Sequence, residues 1–77
     1  MEGILSGDTV IIYTHPDCTY SAAAKEELDQ AEVDYQEIDL SVHTEAWAEV
    51  ERLTGGERIT PVIVEGKLVT IGYHGVG

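Results

Sequence analysis

The chain has one cysteine, Cys18, among 77 residues. An internal disulfide is therefore excluded, and so short a domain must be held by efficient packing of its secondary structure. Basic residues are equally scarce: 4 lysines and arginines stand against 15 acids, a formal net charge of −11. Neutralising phosphates requires Lys and Arg, which argues against nucleic acid and anionic membranes as partners. Two readings of the acidity remain open: solvated helix faces that keep the protein soluble, or a surface that favours basic partners and repels anionic ligands. No run of about 18 apolar residues occurs, nor a basic-then-apolar leader, which predicts a soluble cytoplasmic protein. Internal repeats, linkers and low-complexity segments are missing too. His43 and His74 read as surface loop residues, without the spacing of a metal site.

What is present reads as one folded domain over residues 1–77, since 43% of the chain is hydrophobic. Met1 to Asp8 is an aperiodic lead-in. Thr9 to Thr14 is an apolar, β-branched run, the pattern of a central strand covered on both faces. His15-Pro16-Asp17 ends it, because proline cannot continue a ladder. A helix follows over about Thr19 to Glu32, with Tyr20, Ala24, Leu28 and Ala31 on one face and Thr19 or Ser21 as candidate caps. Val33 to Leu40 predicts a strand of imperfect alternation, hence an edge position. Glu45 to Thr54 predicts a second helix with Ala46, Trp47, Val50 and Leu53 on its apolar stripe and Gly55-Gly56 as its stop. Trp47 reads there as a core anchor. Thr60 to Val64 and Leu68 to Ile71 flank Glu65-Gly66-Lys67 as a hairpin. The order is β-α-β-α-β-β, with the first two strands parallel and the last two antiparallel.

Cys18 stands among polar residues where the first helix opens. An inert, buried thiol would be expected among apolar ones. Unpaired N–H groups and partial positive charge at a helix N-terminus favour the thiolate, so Cys18 is the candidate reactive group. Asp17 opposes ionisation by like charge, and the helix end has to outweigh it.

A strand, a turn, a cysteine at a helix start and a Thr-Pro opening a hairpin together make a specific combination. It resembles the glutaredoxins of the thioredoxin-fold superfamily, over almost the whole stretch from Thr9 to Tyr73. The likeness is carried by Tyr13 to Ser21, by Glu37-Ile38-Asp39-Leu40, by Arg58-Ile59-Thr60-Pro61 and by Gly66. It implies a thioredoxin-like α/β fold: a four-stranded mixed sheet with two main helices, the second strand at one edge, then the first, third and fourth. It also implies a cis Thr60–Pro61 bond facing the thiol. The implied activity is thiol–disulfide exchange with glutathione-type mixed disulfides, glutathione being the thiol co-substrate and Cys18 the nucleophile. Tyr20 would pack beside the ligand, and the Thr60 backbone, next to Pro61, would pair with it. Arg58 stands where a glutathione-carboxylate contact is expected, and His15 where many members carry lysine. Gly72 opens the segment that holds the tripeptide's amino end, while Pro16 and Ser21 support the motif.

Departures from the family pattern shape the expectation further. Ser21 replaces the second cysteine of the dithiol form, so the scheme is monothiol, with small thiols or protein mixed disulfides as partners of a monomer. Exchange of this kind is expected to tolerate Ser21→Ala. Thr19-Tyr20 differs from the Gly-Phe of iron–sulfur-carrying members, which ranks a [2Fe–2S] cluster held by Cys18 of two copies plus two external thiols below exchange. A redox-sensing thiol is the third reading. The ending Gly72-Tyr73-His74 looks like the small redoxins that partner ribonucleotide reductase, and the chain also looks like small bacterial relatives in which some members carry selenocysteine at the Cys18 position. The final glutaredoxin helix is expected to be absent, which predicts weak, salt-sensitive glutathione binding.

Overall fold

The computed structural model describes residues 10–72. The lead-in, Thr9, Tyr73, His74 and the question of a final helix lie outside the described residues. Five β-branched or aromatic-rich positions form β1 (Val10–Thr14), and Tyr35–Asp39 forms β2. After α2, Val62–Glu65 and Leu68–Ile71 form β3 and β4. The sheet order is β2-β1-β3-β4, so the run with poor alternation is at an edge, as expected. β1 is parallel to β2, with Tyr13 opposite Ile38, and antiparallel to β3, with Ile12 opposite Ile63. β3 and β4 pair through a hairpin whose turn uses Gly66 at φ 60°, a left-handed conformation that glycine adopts without steric cost.

Alternation along β1 sends its residues to two faces, and a different helix covers each. On one face Tyr13, Leu40, Val50 and Val62 form the buried core, flanked by Ile11, Ile38, Ala46, Trp47, Leu53, Val64 and Val69. The helix there is α2 (Trp47–Thr54). The predicted start at Glu45 is corrected: Thr44–Ala46 is a turn of 3-10 helix, and the α-helix proper begins at Trp47. Tightening of this kind is common where a helix end lacks a side-chain cap, and none closes here. Gly55 ends α2 at φ 81°, in the stop position expected for it.

The opposite face carries Val10, Ile12 and Thr14 under α1 (Thr19–Gln30). The apolar stripe is narrower than the spacing predicted. Ser21 and Ala24 are the buried residues of α1, Leu28 is half-buried, and Tyr20 and Ala31 are exposed. The caps differ as well: Cys18 itself is the N-cap residue, at φ −100° and ψ 109°. At the other end Glu32 takes a left-handed φ of 57°. Its N–H bonds the Asp29 carbonyl at 3.1 Å and the Val33 N–H bonds that of Leu28 at 3.0 Å, which satisfies two end carbonyls.

Candidate active site

β1 delivers its last residue, Thr14, to the sheet end where α1 begins, and His15 to Asp17 bridge the gap. That bridge is tied down by its own polar groups. The Cys18 N–H donates to the His15 carbonyl at 3.0 Å, and the Asp17 N–H donates to His15 Nδ1 at 3.1 Å. Ser21, only 1% exposed, accepts the His15 N–H on Oγ at 3.3 Å. Pro16 is exposed at the tip of the turn.

The thiol is half-buried at the N-terminus of a 12-residue helix. Its Sγ lies 3.3 Å from the Thr60 carbonyl, which accepts the S–H of the neutral form. Thr60 itself is buried, and the Thr60–Pro61 bond is cis, as the family likeness implies. Burial pushes the thiol pKa up. Hydrogen bonds from the side chains of Thr60 and Ser21, and from the Ser21 and Tyr20 N–H groups, outweigh it and hold the thiol below its ordinary value.

The structure gathers Cys18, His15, Ser21, Thr60 and Pro61 into one site. Gly72, at φ 80°, joins them through its N–H, which donates to the Pro61 carbonyl at 2.7 Å. Tyr20 lies in the first turn of α1 with 40% of its surface exposed. Arg58 reaches a different set of partners. Its Nε donates to Glu51 Oε2 at 2.7 Å, and its guanidinium carbon is 5.2 Å from the centroid of the Trp47 ring. That ring is 6.3 Å from the His15 ring at an interplanar angle of 41°. Trp47 packs at the core margin as the stripe predicts, and it also connects Arg58 with His15 beside the thiol. Glu51 and this second role of Trp47 were not visible in the sequence. The available signal is the start of α2, which puts Glu51 one turn beyond Trp47 on the same side, at i+4.

Among the described residues no group of three or more His, Cys, Asp and Glu side chains is arranged to hold a metal ion. A [2Fe–2S] cluster takes four thiolates, so Cys18 of two copies would leave two ligand positions to external thiols. No helix among the described residues is long and apolar enough to cross a membrane.

Comparison with known proteins agrees with this geometry. The glutaredoxin from Brucella melitensis is 38% identical, over 83% of this chain and 68% of that one, with a TM-score of 0.67. The glutaredoxin-like NrdH-redoxin from Escherichia coli, whose activity profile is described as thioredoxin-like, is 32% identical over 84% of this chain and 83% of its own, with a TM-score of 0.72. A glutaredoxin from Archaeoglobus fulgidus, 22% identical over 86% of this chain and 76% of its own, shares the fold at a TM-score of 0.76. No curated protein sequence gives a significant match. The glutaredoxin family profile matches residues 10–69. With that match over most of its length, a four-stranded thioredoxin-like sheet and a thiol at the start of α1, the chain belongs to the glutaredoxin family of redox proteins.

Proposed function

We propose that the protein is a monothiol thiol–disulfide exchange protein working through Cys18. The Cys18 thiolate attacks one sulfur of a mixed disulfide, forming a new S–S bond and releasing the other sulfur as a thiolate. An external thiolate, glutathione or another thiol, then attacks the Cys18 mixed disulfide, leaves with the bound group as a disulfide, and returns Cys18 as thiolate. Two electrons pass from thiols to disulfide with no oxidant beyond the substrate itself. The observation that carries this reading is the Cys18 sulfur at the N-cap of α1, its pKa lowered by donors from Thr60, Ser21 and Tyr20.

Ser21 contributes more than was expected of it, since it is buried, braces the turn by accepting the His15 N–H and favours the thiolate. Ser21→Ala should therefore raise the midpoint of thiolate absorbance and slow exchange near neutral pH by several-fold, while Cys18→Ser abolishes exchange. The rate in the parent protein should rise with pH up to a midpoint below the ordinary thiol value of about 8.5. Retained exchange in Cys18→Ser would end the reading. A dithiol protein as the reductant is the second form of it, favoured by the likeness to NrdH-redoxin and by Arg58 being engaged with Glu51.

A further inference from the structure

We propose that Glu51 and Trp47 set the charge preference of the Cys18 site by holding Arg58, so that neutral and cationic disulfides exchange in preference to anionic ones such as oxidised glutathione. The inference rests on the exchange reading above and names its substrate class. An anionic thiol needs a cation beside the attacked sulfur. Arg58 stands two residues before Thr60, whose carbonyl is 3.3 Å from Cys18 Sγ, yet its Nε is bonded to the Glu51 carboxylate at 2.7 Å. The Trp47 ring under its guanidinium, at 5.2 Å, stabilises that placement through the ring's negative face. His15 supplies no substitute at Nδ1, where the ring already accepts the Asp17 N–H.

Negative charge is what remains. The Asp17 carboxylate, with 93% of its side chain exposed, adjoins the thiol, and Asp39, kept ionised chiefly by hydrogen bonds from Ser41, ends the strand beside Thr14. The whole chain carries −11. An approaching anion therefore meets a field of its own sign around a neutralised arginine, and a cation meets an attractive one. Between exposed charges this preference is screened beyond about 8–10 Å at physiological salt, so it has to be salt-sensitive.

The experiment follows loss of the Cys18 thiolate absorbance in reduced protein mixed with cystamine, hydroxyethyl disulfide or oxidised glutathione, at low and high salt. Each rate is divided by that of mercaptoethanol thiolate with the same disulfide, which removes intrinsic reactivity. The expected order at low salt is dicationic cystamine, then the neutral disulfide, then oxidised glutathione, with the spread closing at high salt. Glu51→Gln releases Arg58 and should raise the glutathione-to-cystamine ratio by roughly three- to tenfold at low salt. Trp47→Leu, which keeps the apolar packing and removes the ring, should move it the same way by less. Oxidised glutathione reacting fastest in the parent protein, or a ratio unmoved by Glu51→Gln, overturns the inference and leaves the exchange reading standing. A thiolate that none of the three disulfides consumes would sink the exchange reading instead, and this inference with it.

Discussion

The two faces of the sheet solve different problems. Under α2 the contacts are large and apolar: Tyr13, Leu40, Val50 and Val62 are buried together, and Trp47 and Leu53 close their margin. Under α1 the buried helix residues are small, Ser21 and Ala24, and the next contacts are polar. There Lys25 Nζ lies 3.0 Å from Glu37 Oε2, and the same oxygen accepts the hydroxyl of buried Thr14 at 2.7 Å. Large side chains fill volume and supply most of the hydrophobic stabilisation. Small ones let a helix approach the sheet closely, which brings the thiol at its first turn level with Thr60 across the strand end. One face holds the fold, and the other aims the helix that carries the chemistry.

The comparison breaks most visibly if a cavity under α2 proves cheap. Leu40, fully buried in that core, should cost about 2–5 kcal/mol when replaced by alanine, a large share of the stability of so short a chain. Urea unfolding measures it, and the thiolate midpoint of the still-folded variant should stay where it is. On the other face the sensitive change is an increase in size. Ala24→Leu should cost about 1–3 kcal/mol by overpacking, and it should also raise the thiolate midpoint by shifting α1 against Thr60. A midpoint unmoved while stability falls would separate packing from chemistry on this face too, and remove the distinction.

How far the sequence disclosed all this depends on the range of each signal. β1, the turn at Pro16 and the start of α1 at Thr19 were legible because apolar runs and proline act locally. So was the Gly55 stop, where a left-handed residue is needed. The cis bond at Pro61 came from family likeness, since proline alone would suggest the trans form. The 3-10 turn at Thr44–Ala46 was hidden because its composition is as helical as that of α2. Arg58 was harder still. Glu51, Trp47 and Arg58 meet only because the chain reverses at Gly55 and Gly56, and no local pattern distinguishes an arginine waiting for a ligand from one already paired. Thr14 and Glu37 are 23 residues apart and meet only through the register of β1 on β2.

The smallest expected effect tests that last contact. The Thr14 hydroxyl is the leading cause that lowers the Glu37 pKa, burial opposes it, and Lys25 adds to the lowering. A carboxyl with a depressed folded pKa stabilises fully above its unfolded value of about 4.3, and the contribution disappears as pH falls through the folded value. Lys25 is shifted upward, chiefly by its hydrogen bond to Glu37, so its share is complete below about 10.4 and disappears as pH rises through its folded value. Both carboxylate and ammonium are about one-third exposed, which screens the pair and limits Lys25→Met to about 0.5 kcal/mol. Thr14→Val removes a bond whose donor is buried and should cost about 1 kcal/mol near neutral pH. In that variant the acid-side loss of stability linked to Glu37 should be smaller and complete at higher pH than in the parent, because Glu37 returns toward its ordinary range, and the two proteins should converge once Glu37 is protonated in both. Urea midpoints taken between the two limits measure these differences. A Thr14→Val deficit that persists at a pH below both carboxyl values would assign the cost to packing under α1, and the polar link would then add nothing to that face.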